Sequence, residues 1–184
     1  PSEGWRSLDA DTHMSIGTLE AAYRAAGGVV KAVDLVMAGE AGNAFVAVRP
    51  PGHHAERQTA MGFCFFGSVA VAAKHALEFH GLKRVAILDF DVHHGNGTQD
   101  LVEEDPRILF CSSHQMPLFP GTGVAHETGV GNVVNVPLPD GCGSAKFRAA
   151  WEREVFPRVD AFKPELCLIS AGFDGHADDP LAGM

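Results

Sequence analysis

Aromatic hydroxyls, basic residues and long apolar runs are all scarce in this chain. Among 184 residues there is one tyrosine, Tyr23, so phenol chemistry has a single candidate. Lys and Arg number 14 against 23 Asp and Glu, a net charge of −9, and they form no basic stripe; direct nucleic-acid binding is not expected. No apolar run reaches the ~20 residues a membrane helix needs. The opening Pro1-Ser2-Glu3-Gly4-Trp5-Arg6 lacks the charged-then-apolar order of a secretory leader, and a cytoplasmic location is expected. Cys64, Cys111, Cys142 and Cys167 contain no CxxC pair, which points to reduced thiols rather than a disulfide framework or a cysteine-based zinc knuckle. There are no repeats and no low-complexity tract.

What is present suits a single packed domain. Hydrophobic residues make up 46% and charged residues 20%, the balance of a globular chain. Helical spacing of Ala, Leu and Val runs over residues 15–38 and stops at Gly39, with Gly27-Gly28 marking a place for close packing. An apolar strand is expected at 44–48 and a helix at 67–79. A strand at 85–90 and a short helix at 98–104 follow. Further strands are expected at 108–111, 133–136 and 166–170, with a helix over 144–162 capped by Ser144 and bent at Pro157. Alternation of this kind predicts an α/β fold with a doubly wound, mostly parallel sheet and helices on both faces.

Polar residues of one chemical kind gather at the ends of these strands. Asp89-Phe90-Asp91-Val92-His93-His94-Gly95-Asn96-Gly97 follows the run Val85-Ala86-Ile87-Leu88, Arg49-Pro50-Pro51-Gly52-His53-His54 follows 44–48, and Ser170-Ala171-Gly172-Phe173-Asp174 follows 166–169. In an extended strand Asp89, Asp91 and His93 share a face. Carboxylates held that close need a cation between them. Strand C-termini are where open α/β sheets bind ligands. Asp91, His93 and Asp174 offer one nitrogen and two oxygens, leaving a fourth position open as in catalytic zinc sites; Fe(II), Mn and Co suit the same donors. His53 and His54 are then an acid–base pair, and Asp89 is placed to orient a histidine from behind. Phe63 and Phe119, on loop segments, are candidates to wall a narrow slot. Asp9 and Asp11 are candidates for a rim gripping a substrate backbone or a cationic amine.

The segments 49–54, 62–64, 89–97, 119–123 and 170–174 together resemble the zinc-dependent histone deacetylase superfamily. The resemblance is greatest to its class II-like and bacterial members, including acetylpolyamine amidohydrolases and acetoin-utilisation proteins. It implies the arginase–deacetylase fold and hydrolysis of an acetylated lysine, polyamine or other small acylated amine. By motif it implies one catalytic Zn2+ on Asp91, His93 and Asp174, with His54 the general base–acid and His53 its electrostatic partner. Asp89 would support His53, and Asn96 would stand behind His54. Gly62, Phe63 and Phe119 would line the acyl tunnel. A structural K+ would be held by the backbone of Asp89, Asp91, His93 and Ser113 with the Ser112 hydroxyl.

The family also places a Gly-Gly-Tyr segment well after the third metal ligand, whereas here Met184 follows Asp174 by ten residues and Tyr23 lies in the first helix. Residues 1–184 are therefore expected to be part of one deacetylase-type catalytic domain. A metal-binding module without turnover is the alternative. An arginase-type ureohydrolase, which needs further carboxylates for two manganese ions, fits Asn96 and the tandem histidines poorly. Nothing in the sequence supports a particular oligomer.

Overall fold

The computed structural model describes every residue except Ser2 and Leu181. A short antiparallel hairpin, β1 (Trp5–Ser7) and β2 (His13–Ser15), leads into α1 (Thr18–Met37) and α2 (Ser68–Glu78). Then come β3 (Val85–Asp89), α3 (Asn96–Val102), β4 (Ile108–Gln115) and β5 (Val133–Leu138). The chain continues through α4 (Gly143–Ala150), a π-helical stretch Trp151–Val155, α5 (Phe156–Phe162) and β6 (Leu166–Ser170).

β3 to β6 form one parallel sheet in the order β5-β4-β3-β6, with Asp89 opposite Ser112 on one side and Ser170 on the other. The central strands read as continuous apolar runs because both sheet faces are covered. Val85 and Ile87 of β3 join Ile108 and Phe110 of β4 against α1, α2 and α3. Ala86, Leu109 and Cys111 point the other way, against Ala150, Trp151 and Val155. Alternation along each strand thus divides the interior into two cores. The Trp151 indole N–H donates to Ser113 Oγ at 2.9 Å, fixing the second helical layer to β4.

Three expectations about elements are corrected. Residues 44–48 pair with no strand among those described; Phe45 is 77% exposed. The apolar run packs instead along α1, where a Cβ on Gly28 would lie 3.3 Å from Val46 Cγ1, which accounts for that glycine. Ser144 does not cap its helix, which begins at Gly143 after Cys142. Pro157 does mark an irregularity, but the helix accommodates it through the π-helical turn before α5 rather than a simple bend. At the far side of the sheet β6 pairs with β3 only, so its outer edge has no ladder partner among the described residues.

Candidate active site

β3 ends at Asp89, and residues 91–93 bend away before α3 begins at Asn96. Asp91 and His93 therefore meet through this bend, not through strand alternation as expected. Within it the Asp91 carboxylate accepts the His93 backbone N–H at 2.8 Å, and Asp89 Oδ1 accepts the Asp91 N–H at 3.1 Å. After β6 the chain passes Gly172 against Asp91 and delivers Asp174, whose Oδ1 accepts the Val92 N–H at 3.0 Å. The segment carrying the tandem histidines is held by α3: the Thr98 N–H donates to the His53 carbonyl at 3.0 Å. A Cβ on Gly97 would strike the Ala55 carbonyl, so only glycine permits this approach.

These contacts gather residues from the β3–α3 bend, the 49–55 segment and the end of β6. His93 Nδ1 lies 3.0 Å from Asp91 Oδ1 and 3.0 Å from Asp174 Oδ2. Donor atoms from Asp91, His93 and Asp174 all fall within 4.8 Å of one another. The Asp174 and Asp91 carboxylates raise the His93 imidazole to about 9. Asp91, despite burial, is drawn down to about 2 by its hydrogen bond with His93 and by the charge of His53. Two converging oxyanions thus hold positive charge at their centre. One imidazole nitrogen, two carboxylate oxygens and partial exposure fit a divalent cation with room for a further ligand.

The tandem histidines sit beside this cluster in unlike settings. His53 Nδ1 is 3.0 Å from Asp89 Oδ2, and its Nε2 is 3.7 Å from Asp91 Oδ2. Burial opposes charge on His53, but the adjacent Asp89 carboxylate prevails and lifts it to about 8. Burial pushes Asp89 itself upward, against the pull of the His53 charge and hydrogen bond. His54 is the reverse case: burial and the neighbouring His53 lower it to about 4. Its Nδ1 lies 2.8 Å from Asn96 Oδ1. The Asn96 amide N–H donates to Glu56 Oε1 at 2.7 Å, which leaves the oxygen facing His54. His54 must therefore donate from Nδ1, and its Nε2 keeps a free lone pair. The two rings lie 3.9 Å apart.

Gly62 packs directly on the His54 ring, and a Cβ there would collide with it. The Phe119 ring stands edge-on to His54 at 5.1 Å and to His93 at 6.2 Å. Phe63 has φ 65°, a conformation rare for a bulky residue, and leaves its side chain 57% exposed. Ser112 and Ser113 lie within β4, Ser112 in register with Asp89, but their hydroxyls already have partners. Ser112 Oγ is 3.0 Å from His114 Nδ1, and Ser113 accepts from Trp151. Asp9 is drawn into a turn, its carboxylate accepting the Thr12 and Asp11 N–H groups at 2.6 and 3.1 Å. Tyr23 lies on α1, its ring 5.2 Å from that of Phe66.

Sequence reasoning missed Glu56, Cys64 and His94. Cys64 Sγ accepts the His54 N–H at 3.4 Å. His94 Nε2 faces Gln99 Oε1 at 3.1 Å and its Nδ1 faces Thr122 Oγ1 at 2.8 Å, bracing the 119–123 loop. The doubled His93-His94 was the one available signal for the last; an acidic residue in a loop gives none.

Residues 2–184 match the histone deacetylase domain family. A histone deacetylase-like amidohydrolase of Pseudomonas aeruginosa is 44% identical, over 98% of this chain and 49% of that protein. The crystal structure of the HDA15 HD domain superposes with a TM-score of 0.94 at 40% identity, over 97% of this chain and 54% of that one. An acetylpolyamine aminohydrolase from Burkholderia pseudomallei gives a TM-score of 0.89 at 34% identity, over 95% and 52%. The chain spans about half the length of these proteins. Its four-stranded parallel sheet, with helices on both faces, has the arginase–deacetylase architecture expected from the sequence. By sequence and by fold, this chain belongs to the histone deacetylase family of hydrolytic deacetylases and amidohydrolases.

Proposed function

We propose that residues 1–184 form part of one deacetylase-type catalytic domain, which hydrolyses an acetylated lysine, polyamine or other small acylated amine to acetate and the free amine. The observation that carries this reading is the placing of the tandem histidines, His53 against Asp89 and His54 against Asn96 Oδ1, beside a three-donor cluster. Burial and the neighbouring His53 favour the neutral form of His54, while Asp89 favours the charged form of His53. Asp91, His93 and Asp174 would hold a single Zn2+, with Fe2+, Mn2+ or Co2+ acceptable to the same donors. Bound there, the ion would lower the pKa of a water toward ~7 and polarise the acyl carbonyl.

The chain's own groups do the rest. His54 Nε2 takes a proton from the attacking water as its oxygen bonds to the acyl carbon, then returns a proton to the amine nitrogen as the C–N bond breaks. Asn96 holds the tautomer that leaves Nε2 free. The charge on His53 stabilises the negative charge developing on the acyl oxygen. Phe119 and Phe63, with Gly62, form the walls of an acyl slot, and the exposure of both rings suits that role. A structural K+ would use the backbone of Asp89, Asp91, His93 and Ser113 and the Ser112 hydroxyl; the register that sets Asp89 beside Ser112 supports this. No helix among the described residues is long and apolar enough to cross a membrane. The four free cysteines suit a reducing compartment, which we take to be the cytoplasm.

The test is acetate release from an acetyl-lysine peptide and from an acetylated polyamine by the zinc-loaded chain, alongside its zinc content. The expected result is turnover that falls ~10²–10⁴-fold in His54→Ala, with one zinc lost in Asp174→Ala. Unchanged turnover in both variants overturns the reading. Zinc binding without turnover would instead identify a metal-binding module.

A further inference from the structure

We propose that Asp34, His75 and His80 form a second divalent-metal site that pins α1 to the end of α2. It lies outside the cleft described above, and none of its residues belongs to that site. Asp34 is on α1, His75 is in the last turn of α2, and His80 follows Phe79, the C-terminal cap of that helix. Five positions along a continuous helix would place two side chains about 140° apart, on different faces. Here the helix stops, and Gly81, at φ 73°, turns the chain back so that the Leu82 N–H donates to the Ala76 carbonyl. His80 nonetheless reaches the same Asp34 oxygen as His75.

Both imidazoles present the same atom to the same oxygen. His75 Nε2 lies 2.7 Å from Asp34 Oδ1 and His80 Nε2 lies 2.8 Å from it. The three donor atoms fall within 4.8 Å of one another. The rings are also constrained: His75 stacks on Phe79 at 4.9 Å and 13°, and His80 meets the Phe79 edge at 5.1 Å. Phe79 is 74% exposed, and the ring contacts it makes are with these two histidines.

Two imidazoles and a carboxylate suit late first-row divalent ions, above all Zn2+, at nitrogen and oxygen distances of ~2.0–2.2 Å. Accepting the ion requires each Nε2 to give up its proton and carry it on Nδ1 instead, with the donors opening by a few tenths of an ångström. Three protein ligands leave the remaining coordination to water. Because the ligands come from two helices, the ion would couple α1, and the 44–48 segment packed on Gly28, to the helix that follows the tandem histidines.

The test uses the untagged chain carrying Asp91→Ala and Asp174→Ala, which removes the deacetylase-type cluster. After equilibration with Zn2+ and desalting, metal content is read by mass spectrometry and affinity by Co2+ titration of visible absorbance. The expected result is about one zinc retained, lost on adding His75→Ala and His80→Ala. Asp34→Asn preserves an oxygen that accepts both hydrogen bonds, so it keeps the fold while removing the anionic ligand; in the same background it should weaken Co2+ binding by about 10-fold or more. No retained zinc, or retention indifferent to both sets of substitutions, overturns the proposal. Loss of metal only with Asp91 and Asp174 would leave the deacetylase reading intact and refute this one alone.

Discussion

Glu56 fixes an ambiguity that Asn96 cannot settle by itself. An amide can present either oxygen or nitrogen to His54, and only the oxygen leaves the His54 Nε2 lone pair free. The 2.7 Å bond from the Asn96 amide to Glu56 selects the oxygen. Glu56→Ala should therefore let the amide rotate and lower kcat by about 10-fold or more, part of the ~10²–10⁴ that acid–base catalysis contributes, with KM little changed. Asn96→Asp removes the ambiguity but sets a second carboxylate against Glu56, so in that background Glu56→Ala should raise turnover rather than lower it. A Glu56→Ala loss of equal size in both backgrounds would show that Glu56 acts through packing instead. Nitrogen NMR of His54 reads the tautomer without needing turnover. The residues that the cleft brings together were legible as a group, because Asp91, His93, Asp174, His53 and His54 stand out as Asp and His following apolar runs. Glu56 was not legible, because its role depends on a contact across 40 positions in sequence.

At the scale of elements, the position of the tandem histidines depends on how closely α3 approaches residues 53–55. Gly97→Ala places a methyl against the Ala55 carbonyl and the His54 backbone, and overpacking of this kind costs ~1–3 kcal/mol. A lower urea midpoint should accompany reduced turnover, and an unchanged midpoint would mean the loop yields freely. Phe110→Ala, at a fully buried position of β4 in the larger core, should cost more, about 3–5 kcal/mol, measured the same way. Strand 85–89 and the first half of the next, 108–111, were legible as apolar runs because both faces of the sheet are covered, whereas the polar half, 112–115, was not. Residues 44–48 read identically and form no strand, because an apolar run records burial or contact but not whether a neighbour completes the ladder. Pro157 announced an interruption, yet its form, a π-helical turn with Trp151 and Val155 both buried, depends on the sheet beneath it.

For the molecule as a whole, acid removes the stability carried by a buried, neutral histidine. Burial and the facing His114 hold His94 down to about 3, against about 6.5 for a free imidazole. Between those values the unfolded chain binds a proton that the folded chain does not. Stability from this site is complete above about pH 6.5 and is lost as pH falls toward about 3. In chelator, His53 and His93, both raised, work in the opposite sense over pH 7.5 to 5, so the readout is the difference between variants. His94→Gln should hold its urea midpoint better than the parent as pH falls, and an identical pH dependence would exclude His94 as a source. The order β5-β4-β3-β6 was not legible, since helical crossovers hide which strands become neighbours. That order also has a practical consequence. Among the described residues, the outer edge of β6 has no strand partner, and Ile169 on it is 58% exposed. Such an edge is a template for another chain's strand. Concentrated solutions should self-associate through it into light-scattering aggregates, and Ile169→Lys should raise the concentration at which scattering begins. If so, colloidal stability at β6, more than folding stability, will set how much of this chain can be handled in solution.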